Sequence, residues 1–236
     1  MTATRRLLAG LAGLAMLALA GCGNDPSRSE GFSAARGLIS GAVGRSGGGD
    51  AAASGQISVD TNPAAAIAAV LRGQQGPVMF IALNGGSEAA LLGRYGQNGP
   101  YRTWATNDRQ SLTFFRGILT ATRGIGGDLM SSEVGAVAPL IIGRRAGTGQ
   151  RTYRYLDGEN KERPLQLSCT VQPAGPATAT LASGQSFAAT RVDEVCQAGS
   201  LTVRNIYFVT ASGFIPQSRQ WQGPGNGDIA IQILRN

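Results

Sequence analysis

The sequence predicts an all-β fold with minor helices: one domain of strongly curved antiparallel sheet, a half-barrel or sandwich. Three observations predict it. Ser111–Phe115 and Ile118–Thr122 are short β-prone runs separated by Arg116-Gly117, which reads as a two-residue hairpin turn. Pairing the arms about that turn sets Phe114 opposite Leu119, Leu112 opposite Ala121 and Thr113 opposite Thr120. One face is then apolar and the other mostly hydroxylic, with Phe115 and Ile118 breaking the polar face near the turn. Similar runs recur at regular spacing with Gly and Pro between them, as in an all-β domain. Finally, alternation in Leu165–Gln172 turns Cys169 inward with Leu165, Leu167 and Val171. A symmetric hairpin turning near Ala182-Ser183 would set Cys169 opposite Cys196, at a separation a disulfide accepts.

The chain opens with Arg5-Arg6 and an uninterrupted run of Leu, Ala, Gly and Met from Leu7 to Leu19. That is a secretory signal, too short for a comfortable membrane span. It ends in Leu19-Ala20-Gly21-Cys22, which resembles the bacterial lipobox. The resemblance implies cleavage before Cys22 and acylation of its sulfur, a durable anchor at about 0.8 kcal/mol per buried methylene. Gly23 follows instead of Asp, which in such lipoproteins implies passage to the outer membrane. Residues 22–55 read as lipidated terminus and tether, rich in Gly, Ser, Ala and Arg, with one weak amphipathic helix over Gly31–Gly44. The β domain is expected over 56–236.

A helix is expected from Pro63, capped by Asn62 and stopped at Gly73. Val78–Leu83 is apolar throughout, hence a strand buried on both faces. Ala89–Tyr95 and Tyr101–Thr106 follow as strands. Trp104 is either a core anchor or a stacking platform at a sheet edge. After the hairpin, Gly124–Gly127 bends the chain and Asp128–Val137 is expected as a short helix. Arg151–Leu156, Pro164–Val171, Ser186–Gln197, Leu201–Thr210, Phe214–Trp221 and Ile229–Leu234 complete the strands. Ile229, Ile231 and Ile233 share one face of the last.

Composition narrows the chemistry. The formal charge is +7, or +5 once Arg5 and Arg6 are cleaved, and histidine is absent. No basic run exceeds Arg144-Arg145, which argues against nucleic acid, and the arginines read mainly as a solvated surface. Cys169 and Cys196 form either a disulfide or two buried free thiols, in a compartment that permits the former. Two thiols without histidine make a poor metal site, and no cofactor motif is present. A Ser-His-Asp triad is impossible. Asp108, Asp128 and Glu133 each sit where capping explains them, and Asp193 and Glu194, adjacent on a strand, point oppositely. No catalytic residue is assigned.

Three segments carry a family resemblance: Trp104 with Asn107-Asp108 and the hairpin Leu112–Thr122, then Arg123-Gly124-Ile125 with Asp128-Leu129, and Gly213–Gly225, GFIPQSRQWQGPG. Together they resemble the YjbF/GfcB family of group 4 capsule and exopolysaccharide lipoproteins. Arg116-Gly117 replaces the family's frequent Asn-Gly, Arg123 a common threonine, and Phe208 a frequent tryptophan. The resemblance implies a strongly bent antiparallel sheet and no established enzymatic activity. It also implies an outer-membrane lipoprotein on the periplasmic side, beside components that assemble or export a surface polysaccharide. An outer-membrane β-barrel, periplasmic export proteins and the polysaccharide itself are the partners to consider. Trp104, Arg123, Arg219, Gln220 and Trp221 are the candidate glycan or partner contacts. Alternation puts Arg219 and Trp221 on one face of their strand, a pairing suited to sugar or carboxylate contact. The competing explanation packs the tryptophan internally and leaves Arg219 in an ion pair. Two other functions compete with the accessory role, a lipid or lipoprotein carrier with an apolar cavity and a glycan-cleaving enzyme with two facing carboxylates.

Overall fold

The structure, a computed structural model, describes residues 56–57 and 63–236. The signal segment, Cys22, the expected Gly31–Gly44 helix and the Asn62 cap lie outside the described residues. In order the elements are β1 (Gln56–Ile57), α1 (Pro63–Gly73), β2 (Val78–Leu83), β3 (Glu88–Asn98), β4 (Tyr101–Ala105), β5 (Ser111–Phe115), β6 (Ile118–Arg123) and β7 (Ser131–Glu133). Then come α2 (Ala138–Ile142), β8 (Gly147–Leu156), β9 (Glu162–Thr180), β10 (Ser186–Ala198), β11 (Leu201–Val209), β12 (Gln217–Gly223) and β13 (Gly227–Arg235).

From β2 onward the strands meander around one antiparallel sheet, and the last, β13, pairs with β2. The all-β expectation holds, as a nearly closed barrel in which β1 adds a short rung to β3. Its open seam lies between β6 and β7, whose strands do not ladder. Inside the wall sits the main core, including Met79, Leu92, Trp104, Phe114, Leu129, Val171, Val203 and Ile229. A second, smaller core lies outside it, where Ile67 of α1 meets Val78, Leu91, Leu181 and Leu234. These two cores are why Val78–Leu83 is apolar along both faces. Arg235 holds α1 down by donating to the carbonyls of Leu71 and Gln74 at its end.

The β5–β6 turn forms at Arg116-Gly117, both with positive φ (49° and 95°) as a primed two-residue turn requires. A side chain at Gly117 would meet Ile215 at 3.1 Å. Phe114 faces Leu119, but the rest of the expected register is corrected. A bulge makes Thr120 the extra residue, so Thr113 faces Ala121 and Leu112 faces Thr122. Thr120 instead donates its hydroxyl to the Thr113 carbonyl. The expected helix over 128–137 is corrected too. Ser131–Glu133 pairs with β8, and helix forms only from Ala138, where Pro139 suits the first turn.

β9 runs to Thr180, far past the expected Val171, and carries Pro173 and Pro176 within it. Its partner β8 stops pairing at Val171, so the remainder is an edge, where a missing N–H costs little. The β9–β10 tip then bends over the outer core, burying Leu181 and donating the Ala182 N–H to the Gln232 side chain at 2.7 Å.

Cys169 and Cys196 are directly paired across β9 and β10 and form a disulfide, with Cα atoms 3.9 Å apart. The bond closes a sequence separation of 27 residues, which the chain-entropy model values at about 3–4 kcal/mol. Replacing both cysteines by alanine should lower unfolding free energy by about that amount, read as a reduced midpoint in urea at unchanged slope. A loss below about 1 kcal/mol would show the crosslink to be thermodynamically idle.

Candidate functional site

The inner face of β8 carries Gly147, Gly149, Arg151, Tyr153 and Tyr155 in alternation. Both glycines are small by need: an added Cβ would meet Leu140 at 2.9 Å or Ala136 at 3.1 Å, side chains of the α2 segment that covers this end. Beneath that cover lies a charged, fully buried side chain, Arg151. Its Nη1 donates to Glu194 Oε2 at 2.8 Å, and Glu194 on β10 is equally buried. Asn205 Nδ2 and the Tyr207 hydroxyl, both from β11, donate to the same carboxylate oxygen at 2.7 and 2.8 Å. The Arg151 guanidinium also lies 4.6 Å from the Tyr153 ring centroid.

The other donors of Arg151 reach the seam. Nε bonds Ser132 Oγ of β7 at 3.1 Å, and Nη2 bonds the Leu119 carbonyl of β6 at 3.0 Å. Gln220 of β12 completes the closure. Its Oε1 accepts from the Leu119 N–H at 2.8 Å, while its Nε2 donates to the Gly117 carbonyl and Ser218 Oγ, both at 2.9 Å. Leu119 therefore satisfies both backbone groups on side chains where a neighbouring strand would ordinarily serve. Farther along the seam, Asp128 accepts from the N–H groups of Gly124 and Ile125 and from the Thr122 hydroxyl. Arg123 donates to the carbonyls of Thr122, Leu129 and Met130.

Burial opposes the Arg151 cation, but Glu194 and the flanking tyrosines outweigh it and hold its pKa above the ordinary arginine value. Burial pushes the Tyr153 phenol up to about 12, against the pull of the adjacent cation. The Tyr207 phenol is raised well above its usual value, first by burial and then by the Glu194 carboxylate. Glu194 Oε1 accepts no hydrogen bond. The Cys169 and Cys196 sulfurs and a Glu194 oxygen lie within 4.8 Å of one another, but both sulfurs are committed to the disulfide. Glu194 is one ion-paired carboxylate below the surface. Glu133 pairs with Arg154, Asp193 with Arg191, Asp228 with Arg219, and Asp128 serves its turn. The arrangement around Arg151 suits holding a shape, with its donors spent on Glu194, Ser132 and the Leu119 carbonyl inside the wall.

The structure separates the candidate contacts. Trp104 is buried in the main core, Gln220 is a fully buried seam closure, and Trp221 is buried against Tyr153 at 5.2 Å and Tyr155 at 6.4 Å. The burials match the core-anchor alternative for Trp104 and the internal-packing alternative for Trp221, and they turn the Gln220 side chain inward. Arg219 and Trp221 do not form a shared exposed face: Arg219 stays 62% exposed and pairs with Asp228, while Trp221 turns inward beside a bulge. Arg123 is exposed but spends its donors on the seam carbonyls. Sequence reasoning missed Arg151 and Asn205 entirely, and it saw Glu194 only as one of two opposed neighbours.

The family model for the group 4 capsule polysaccharide lipoprotein GfcB/YjbF matches residues 51–234, most of the chain. The chain belongs to the YjbF family. Among solved structures, it is similar to the hypothetical lipoprotein YmcC from Escherichia coli K12, at 20% identity and a TM-score of 0.60. That alignment covers 74% of this chain and 93% of that one, and at this identity it establishes a shared fold alone. No curated protein matches. YjbF membership makes this a lipoprotein related to capsule polysaccharide, in a family not known for enzymes.

Proposed function

We propose that the protein is a non-catalytic accessory module for capsule or exopolysaccharide assembly or export, acylated at Cys22 and held on the periplasmic face of the outer membrane. The observation that carries this reading is the family match over 51–234. The barrel supports it: its interior is filled by core side chains and a closed ion-pair network, leaving the outer wall as the working surface. The same filling weighs against a lipid carrier, which needs an apolar cavity.

The test is a deletion strain complemented with wild-type protein or with Cys22→Ser, scored for surface polysaccharide and membrane fractionation. Deletion should reduce surface polymer, wild type should restore it, and Cys22→Ser should leave the protein in the soluble periplasm without restoring it. A pull-down from membranes then identifies an outer-membrane barrel or polymer as the partner. Normal polymer on the deletion strain would overturn the accessory role. Outer-membrane retention of Cys22→Ser would overturn the anchor, and cleavage of the polymer by purified protein would overturn the non-catalytic assignment.

A further inference from the structure

The outer face of β3–β5 differs from the rest of the wall. Trp104, Leu112 and Phe114 point inward and are buried, so Tyr101, Thr103 and Thr113 take the other face, while half-buried Phe115 packs against the main core. Tyr101 and Phe115 are cross-strand partners, their rings edge to face with centroids 5.3 Å apart. Next to them on the same face, the Thr103 and Thr113 hydroxyls are 3.0 Å apart. The Arg116 guanidinium lies 6.0 Å from the Phe115 centroid. Tyr95 is the extra residue of a bulge in β3, opposite the Trp104–Thr103 step. It is 81% exposed and Tyr101 is 42% exposed, both among the few large hydrophobic side chains left open to water.

Charge separates this sector further. Between Glu88 and Asp128 the chain carries Arg94, Arg102, Arg109, Arg116 and Arg123 against Asp108 alone. Among the described residues none of these arginines joins an ion pair, a trait shared with Arg72, Arg144, Arg145, Arg204 and Arg235 elsewhere; Arg102 donates to Asn236 Oδ1 and Arg123 to the seam carbonyls. Arg94, Arg109 and Arg116 are exposed. A wall with open tyrosine rings, hydroxyls and exposed arginines has the chemistry to recognise a chain of acidic sugars. The C–H faces of sugar rings lie on aromatic rings, hydroxyls exchange hydrogen bonds, and guanidinium forks take carboxylates in bidentate fashion. A membrane surface would use the cations, but it would not call for the ordered hydroxyl pair.

We infer that the outer face of β3–β5, centred on Tyr95, Tyr101 and Arg116, binds an acidic polysaccharide. This rests on the accessory role proposed above and names the ligand class. The test uses the mature acylated protein in detergent micelles, titrated with polygalacturonate and with neutral dextran at low and raised salt. Wild type should bind polygalacturonate, weaken as salt rises, and ignore dextran. Tyr95→Ala with Tyr101→Ala, and separately Arg109→Ala with Arg116→Ala, should each weaken binding at least about tenfold. The arginine variant should keep its urea midpoint, because both side chains are exposed, while the tyrosine variant, which loses the Tyr101–Phe115 edge contact, should unfold at a slightly lower midpoint with unchanged slope.

Failure of wild type to bind polygalacturonate, or undiminished binding by both double variants, would overturn the inference. So would variants that keep polygalacturonate binding but lose flotation with phosphatidylglycerol vesicles, a result that would assign the face to lipid. Expressing the double variants in the deletion strain separates the two proposals. Full restoration of surface polymer by them would remove the face and leave the accessory role standing. A deletion strain with normal polymer would remove the accessory role whatever the titration gives.

Discussion

Arg151→Met should destabilise the barrel by about 3–5 kcal/mol, the range for removing one partner of a buried ion pair. Glu194 would keep its charge with one cationic donor gone, and the Leu119 carbonyl and Ser132 hydroxyl would lose their interior partner. Glu194→Leu should fall in the same range from the other side, leaving the cation uncompensated. The double variant Arg151→Met with Glu194→Leu should recover part of the loss, because an apolar pair of similar volume removes both desolvated charges together. Urea unfolding of the four proteins completes a double-mutant cycle whose coupling should exceed about 1 kcal/mol. A single variant within about 1 kcal/mol of wild type would show that the network does not support the fold. Amide exchange supplies an independent readout. In Arg151→Met, protection should fall first in β6 and β7, which meet at the seam, and last in β2 and β13, which pair by a full ladder. Uniform loss across the sheet would mean that Arg151 supports the core generally and has no special hold on the seam.

That network is partly legible in the sequence. Once Cys196 is assigned inward, Glu194, two residues earlier on the same strand, must face the interior as well. An inward glutamate then demands a cation, and β8 offers Arg151 at the parity of Tyr153 and Tyr155. Which arginine answers which carboxylate depends on curvature, since β8 and β10 meet only because β9 lies between them and the wall bends. Local chemistry carried the rest: the Arg116-Gly117 turn, the cysteine pair, and a helix beginning at Pro63 and ending at Gly73 all follow from short-range preferences. Bulges did not. The insertions at Tyr95, Thr120 and Ala174 each shift the ladder by one residue, and nothing in strand propensity marks where a pleat takes an extra residue. The bulge beside Trp221 had the largest consequence for the site, because strict alternation placed that ring with Arg219.

Trp221→Ala and Arg219→Ala should therefore behave as opposites, though they lie two residues apart in one motif. Trp221 fills the barrel end where Tyr153 and Tyr155 stack nearly parallel, and its own ring stands at 83° and 81° to theirs. Two hydrogen bonds fix that geometry. The Tyr155 hydroxyl donates to the Gln222 carbonyl at 3.0 Å, and the Trp221 backbone N–H donates to Asn205 Oδ1 at 2.7 Å. Asn205 in turn donates to Glu194, so the backbone at Trp221 is tied to the ion-pair network through one residue. Truncating Trp221 should cost about 3–5 kcal/mol as a large buried ring gives way to a cavity. Arg219 is 62% exposed and pairs with an Asp228 whose side chain is 30% exposed, so its truncation should cost at most about 1 kcal/mol. Thermal and urea unfolding of both variants measure the contrast. If Trp221→Ala melted with wild type, the ring would be idle in the fold and a contact role in the motif would regain force. If Arg219→Ala instead lost several kcal/mol, its pair with Asp228 would have to act as a buried bridge, against the exposure of both side chains. A motif that looks like a binding signature in one dimension is, on this geometry, the plug of one barrel end, and its tryptophan belongs to the interior.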